Sequence, residues 1–141
     1  MTPAELALIE SSGAVVRDDG DAFADTFYAT LFEVAPEVRD LFPDDMHEQR
    51  GKLVDELAFL IDAAADLERF VERARELGRR HVGYGVRHEH YDAVGVALVS
   101  AVRDRTGSDW TAAHHDAWDR LYRLIADVMR EGAREDLFAD R

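Results

Sequence analysis

The side chains of this sequence best suited to chemistry are its six histidines, at positions 47, 81, 88, 90, 114 and 115. Cysteine is absent, which removes thiolate nucleophiles, disulfide scaffolds, zinc fingers and Cys-ligated iron–sulfur clusters together. Any metal must therefore be held by imidazole or carboxylate. His88 and His90 stand two apart, and His114 and His115 are adjacent. On a helix neither spacing puts both rings on one face, so these four are expected to be solvated. His47-Glu48-Gln49-Arg50-Gly51 and His88-Glu89-His90-Tyr91-Asp92 each lack the second histidine of a zinc-protease helix. Gly83-Tyr84-Gly85-Val86-Arg87-His88 lacks the third glycine of a dinucleotide loop and follows a helical pattern rather than a strand. The sequence contains neither a phosphate loop nor a Gly-x-Ser-x-Gly elbow. What remains is His81, at the end of Leu77-Gly78-Arg79-Arg80-His81. There an imidazole either ligates a metal or, as a cation, gains from the dipole at a helix C-terminus.

The elements that must position His81 are helices. The three prolines stand at 3, 36 and 43, leaving long stretches free of breakers. Thr2-Pro3-Ala4-Glu5 is a capping box opening the first helix, whose apolar side is Leu6, Ile9, Ala14, Val15 and Val16. A second helix, about 19–34, carries Phe23, Phe27, Leu31 and Val34 at spacings of 3 and 4. Pro36 begins a short turn to Leu41, and Phe42-Pro43-Asp44-Asp45 breaks the pattern. Residues 46–64 present Leu53, Leu57, Leu60, Ile61 and Ala64, and residues 66–80 present Leu67, Phe70, Val71, Ala74 and Leu77. After an interruption at Gly83 and Gly85, residues 88–105 show Tyr91, Val94, Leu98, Ala101 and Val102. Thr106-Gly107-Ser108-Asp109 is a turn with an N-cap, followed by a last helix with Trp110, Ala113, Ala117, Leu121, Leu124, Ile125 and Val128. No stretch keeps the strict alternation of a half-buried strand, and the fold class expected is all-α.

Composition sets the remaining bounds. The 141 residues are expected to form one domain able to bury roughly 68–70% of the unfolded surface. A formal net charge of −13 repels polyphosphate, so nucleic acid is not expected as a partner. No apolar run reaches the roughly 18 residues of a membrane span, and the N-terminus lacks a basic region followed by an apolar one, so a cytoplasmic location is expected. Lys52 is the only lysine among 17 basic residues.

Four stretches, in order and at consistent spacings, carry a resemblance. They are Thr26-Phe27-Tyr28-Ala29-Thr30-Leu31-Phe32, Pro36-Glu37-Val38-Arg39-Asp40-Leu41-Phe42, Gln49-Arg50-Gly51-Lys52-Leu53, and the region around His81 with Tyr91-Asp92-Ala93-Val94-Gly95 beyond it; Ala117-Trp118 follows in the last helix. From about Thr2 to Met129 the chain resembles a bacterial single-domain globin of the flavohaemoglobin-like family. The resemblance implies a globin fold over residues 1–141, with haem b and its iron wedged between the helix of Gln49 and the helix ending at His81.

In that family pattern His81 is the proximal iron ligand, the metal-binding residue, leaving the opposite site open. Phe42 is the corner phenylalanine that stacks on the haem, Leu53 the apolar wall above the iron, and Leu77, Val86 and Val94 contacts of the cofactor. Tyr28 and Gln49 fall on the distal positions. A tyrosine hydroxyl directed at a diatomic ligand with partial negative charge is worth about 1.5–3 kcal/mol, roughly ten- to a hundredfold in affinity. His47, two residues before Gln49, is an alternative to Gln49 or Tyr28 for an internal sixth ligand. Tyr91 matches the tyrosine beside the proximal histidine. The carboxylate expected in the last helix falls on Ala133, with Glu131 and Glu135 to either side, which leaves the proximal triad incomplete. Lys52 and Arg80 are candidates to pair with haem propionates.

Three functions are compatible with the resemblance. The first is a carrier of dioxygen, or of another diatomic such as NO or CO, at ferrous haem. The second is a nitric oxide dioxygenase fed by an external electron donor or reductase, since the flavin and nicotinamide domains of flavohaemoglobins do not fit within 141 residues. The third is a globin-fold interaction module without haem. Either a monomer or a homodimer fits, a dimer requiring an exposed apolar patch.

Overall fold

The structure is a computed structural model that describes residues 1–82 and 85–139, without the side chains of His88 and of 135–139. Among the described residues it is all-α. Six α-helices run in the order α1 (Pro3–Asp18), α2 (Gly20–Val34), α3 (His47–Ala63), α4 (Leu67–Val82), α5 (His88–Thr106) and α6 (Ala112–Ala139). A 3₁₀ helix, Pro36–Leu41, follows α2, and a second, Gly107–Asp109, follows α5.

Local chemistry accounts for the boundaries. The Thr2 hydroxyl accepts from the Glu5 N–H (3.1 Å) and the Glu5 carboxylate accepts from the Thr2 N–H (3.2 Å), the reciprocal capping box expected for α1. Pro36 supplies a fixed φ and no donor, which suits the first position of the 3₁₀ helix. Ahead of α3, the Asp45 carboxylate accepts from the His47 N–H (3.0 Å). The start of α6 differs from expectation: Trp110 precedes the helix, and Thr111, rather than a residue of the 106–109 turn, caps it. Its hydroxyl accepts from the His114 N–H (3.3 Å), while its own N–H donates to His114 Nδ1 (3.1 Å).

Trp118 of α6 is fully buried at the centre of the core, its indole N–H donating to the Ser12 hydroxyl (2.8 Å). That contact explains why Ser12 and Gly13 of α1 are buried while Ala14, expected on the apolar side, is exposed. Ala113 is likewise exposed, and Val34 and Leu67 lie at helix ends, 49% and 65% exposed. His90 departs from the solvated state expected of it. It is 8% exposed, and its Nδ1 accepts from the Arg87 N–H (3.0 Å), satisfying one open donor at the start of α5.

Packing of α4 on α6 is the closest in the bundle. A Cβ placed on Gly78 would lie 1.9 Å from the Met129 carbonyl oxygen, and one on Gly132 would lie 2.1 Å from that of Arg75. Two backbones meet at these glycines because nothing larger fits. Helix α2 packs on α5, and α1 on α3 and α6. Helices α3 and α4, joined by a short turn, make much less contact with each other than α4 makes with α6.

Candidate haem site

The residues expected on the distal side come from α2, the corner after Leu41, and the first turns of α3. Tyr28 and Phe27 are buried on α2. The Phe42 ring meets Tyr28 edge-on at 5.5 Å and Phe32 at 5.7 Å, and Tyr28 and Phe32 are 5.8 Å apart. Arg39 ties the corner together. It donates to the carbonyls of Phe42 (3.3 Å), Pro43 (3.0 Å) and Asp44 (3.3 Å), and its guanidinium lies 5.3 Å from the Phe32 ring centre.

Gln49, in the first turn of α3, donates from Nε2 to the Tyr28 hydroxyl oxygen (3.2 Å). Burial pushes the Tyr28 phenol above its usual pKa, outweighing the opposing effects of the Gln49 bond and the nearby Arg50 charge, so the hydroxyl keeps its proton. Because Gln49 donates, that proton is left for another acceptor. Leu53, one turn further on, is half-buried and packs against the core. His47 is exposed, and lines a cleft of about 440 Å³ with Phe32, Arg39, Met46 and Arg50.

The proximal side is organised differently. His81 is half-buried near the end of α4, its Nδ1 2.6 Å from the Leu77 carbonyl of the preceding turn. That carbonyl can only accept, so the ring's proton belongs on Nδ1 and its lone pair on Nε2. Burial holds the His81 pKa below the ordinary value, against the Leu77 carbonyl, with Arg80 adding to the lowering and Glu56 opposing it. The ring is therefore neutral, the form that ligates a metal. Leu77 is buried, and Val86 and Val94 are half-buried against the core. Gly83 and Tyr84 of the sequence motif lie outside the described residues.

Tyr91 is buried on α5, with the Arg130 guanidinium 4.8 Å from its ring centre. Its carbonyl accepts from the Tyr122 hydroxyl (2.5 Å), and burial pushes both phenols above their usual pKa. Among the described residues, no hydrogen bond joins Tyr91 to a carboxylate of α6. Glu131 pairs with Arg75 (3.2 Å), Ala133 is half-buried, and the Glu135 side chain lies outside the described residues. Of the two propionate candidates, Lys52 is exposed and has no ion-pair partner among the described residues, whereas Arg80 reaches Glu56 of α3 (3.4 Å). Sequence reasoning passed over Arg39, Glu56, Arg73, Tyr122 and Arg130. Each acts through a partner on another element or through backbone carbonyls, which no spacing reveals.

These residues fit a haem. Among those described, no three His, Asp or Glu residues come together as a metal-ion cage. A single neutral imidazole in an apolar setting instead suits an iron whose other equatorial ligands come from a porphyrin. An all-helical bundle with that imidazole on α4 and a Tyr–Gln hydrogen bond joining α2 to α3 is the arrangement a haem pocket needs. Residues 25–129 match the globin family model, and the chain belongs to the globin family.

The chain is 32% identical over 136 residues to a flavohemoprotein of Bordetella pertussis, covering 92% of this chain and 33% of that one. It is 31% identical to a flavohemoprotein of Pseudomonas aeruginosa, covering 99% and 36%. It thus spans about a third of the length of these relatives. Among solved structures, it resembles a bacterial globin of Campylobacter jejuni (TM-score 0.84, 23% identity, 99% and 100% covered). It also resembles an engineered carbene transferase built on a candidate nitric oxide dioxygenase of Rhodothermus marinus (TM-score 0.85, 24% identity, 99% and 96% covered). Both structural likenesses show the fold. The cofactor of this chain is haem with its iron, which sets aside the haem-free reading. No helix among the described residues is long and apolar enough to cross a membrane.

Proposed function

We propose that this globin, a single domain over residues 1–141, binds dioxygen at ferrous haem b, with His81 as the proximal ligand and Tyr28 and Gln49 lining the distal side. Ferrous haem supplies the chemistry, reversible binding of a diatomic molecule. Leu77, Val86 and Val94 support the proximal face, Phe42 and Leu53 the distal one, and Lys52 and Arg80 serve the propionates.

The observation that carries this reading is the direction of the hydrogen bond from Gln49 to the Tyr28 oxygen at 3.2 Å. Gln49 fixes the phenol, and the phenol proton is directed at the ligand. Such a bond is worth about 1.5–3 kcal/mol and acts mostly on release. Stopped-flow measurement of dioxygen dissociation tests it: Tyr28→Phe is expected to release dioxygen at least about tenfold faster than wild type. An unchanged rate would remove Tyr28 from the distal role.

A second reading, nitric oxide dioxygenase with a separate reductase, is supported by the flavohemoprotein relatives and by the candidate nitric oxide dioxygenase behind one structural neighbour. Aerobic nitric oxide consumption with a supplied reductase separates the two. Nitrate formed over many turnovers identifies an enzyme, and a single stoichiometric burst identifies a carrier.

A further inference from the structure

Helices α3 and α4 face each other across a seam made of arginine. Glu56 and Phe59 stand three apart on α3, and Arg69, Arg73 and Arg80 stand four and seven apart on α4, so each set occupies one helix face. Arg73 grips the Glu56 carboxylate with two bonds, Nε to Oε2 (3.0 Å) and Nη2 to Oε1 (2.5 Å), and Arg80 reaches the same carboxylate at 3.4 Å. The Arg69 and Arg73 guanidinium groups lie 4.6 and 4.9 Å from the Phe59 ring centre. Side-chain exposure is 25% for Glu56 and 35% for Arg73, so the pair is partly withdrawn from water, where two-pronged arginine–carboxylate bonding is stronger than on an open surface.

The position of this seam gives it a role. Glu56 is seven residues beyond Gln49, about 10 Å along the helix, and Arg80 adjoins His81. On its other side α4 is fixed backbone to backbone on α6 through Gly78 and Gly132. The spacing of α3 from α4 is then set by what spans the seam. We infer that Glu56 is a positioning residue for the haem: gripped by Arg73 and Arg80, it closes one edge of the slot and holds the distal and proximal helices at the separation the haem needs.

The inference rests on haem binding between α3 and α4, and the test keeps the two apart. Ferric holoprotein is mixed with excess apomyoglobin as haem acceptor, and transfer is followed in the Soret region at low and high NaCl for wild type, Glu56→Gln and Arg120→Gln, the last removing the exposed Arg120–Glu5 ion pair (3.2 Å) between α6 and α1. Glu56→Gln is expected to lose haem about tenfold faster at low salt. Wild-type loss should accelerate with salt, as screening weakens the ion pairs, whereas Glu56→Gln should have lost most of that response. Arg120→Gln, which breaks an ion pair away from the seam, should keep it. Loss from Glu56→Gln at the wild-type rate overturns the inference. So does faster loss with the full salt response, which marks general destabilisation. Should Glu56→Gln not fold, a wild-type rate indifferent to salt overturns it equally. A protein that takes up no haem contradicts the haem site itself, not the role of Glu56 within it.

Discussion

The distal and proximal sides of the site solve the same problem, holding a few side chains still, by different means. On the distal side, residues from position 28 to 49 hold one another directly. Tyr28, Phe32 and Phe42 pack ring on ring, Gln49 bonds to Tyr28, and Arg39 ties down the corner. On the proximal side, His81 is oriented by the carbonyl of its own helix, and that helix is positioned by distant partners: Gly78 against Met129, Arg73 and Arg80 against Glu56, and Arg130 over Tyr91. In the proposed site the distal wall is thus a local construction that would tune the ligand. The proposed proximal side is a long-range construction that would fix where the iron sits.

That contrast can be broken at either end. The largest effect is expected from Gly78→Ala. Its methyl group would lie 1.9 Å from the Met129 carbonyl, a contact with backbone that no rotamer can relieve. The cost is expected to be about 3 kcal/mol or more, seen as a large drop in the denaturant midpoint together with loss of haem. A midpoint within error of wild type would mean that α4 is not seated as described.

A smaller effect is expected from Gln49→Leu. The side chain acts on the ligand through Tyr28, so removing a neutral hydrogen bond worth about 1 kcal/mol should speed dioxygen release about fivefold, less than Tyr28→Phe. Release faster than in Tyr28→Phe would reverse the order of the two roles. The smallest effect is expected from Tyr91→Phe. The backbone carbonyl of Tyr91 takes the bond from Tyr122, and its ring keeps the Arg130 contact when the hydroxyl is lost. Dioxygen release and stability should stay within about twofold and about 0.5 kcal/mol of wild type. A larger change would give the hydroxyl a proximal function.

The same contrast explains what could be read in the sequence. The capping box of α1, the 3₁₀ turn from Pro36 and the amphipathic stripes of α2 to α6 follow from short-range rules and are present, with stripe members failing only near helix ends, at Val34, Leu67, Trp110 and Ala113. That Tyr28, Phe42 and Gln49 come together was legible because they sit in recognisable local patterns close together in the chain. His90 was misjudged because its burial is decided by packing around α5 and by a bond to Arg87, neither visible in helical periodicity. Ser12 was passed over because its burial depends on Trp118, 106 residues away. Glu56 carries no local signal, since its partner Arg73 is 17 residues further on and across a turn.

The central claim is that one neutral imidazole, His81, holds the iron. Absorption spectra of the ferrous protein with and without CO, recorded for wild type and His81→Gly after expression with ample haem, test it most directly. We expect a haem Soret band that moves on CO binding in wild type, and in His81→Gly its loss, or a changed spectrum restored by added imidazole. A His81→Gly protein that holds haem with the wild-type ferrous and CO spectra would contradict the assignment.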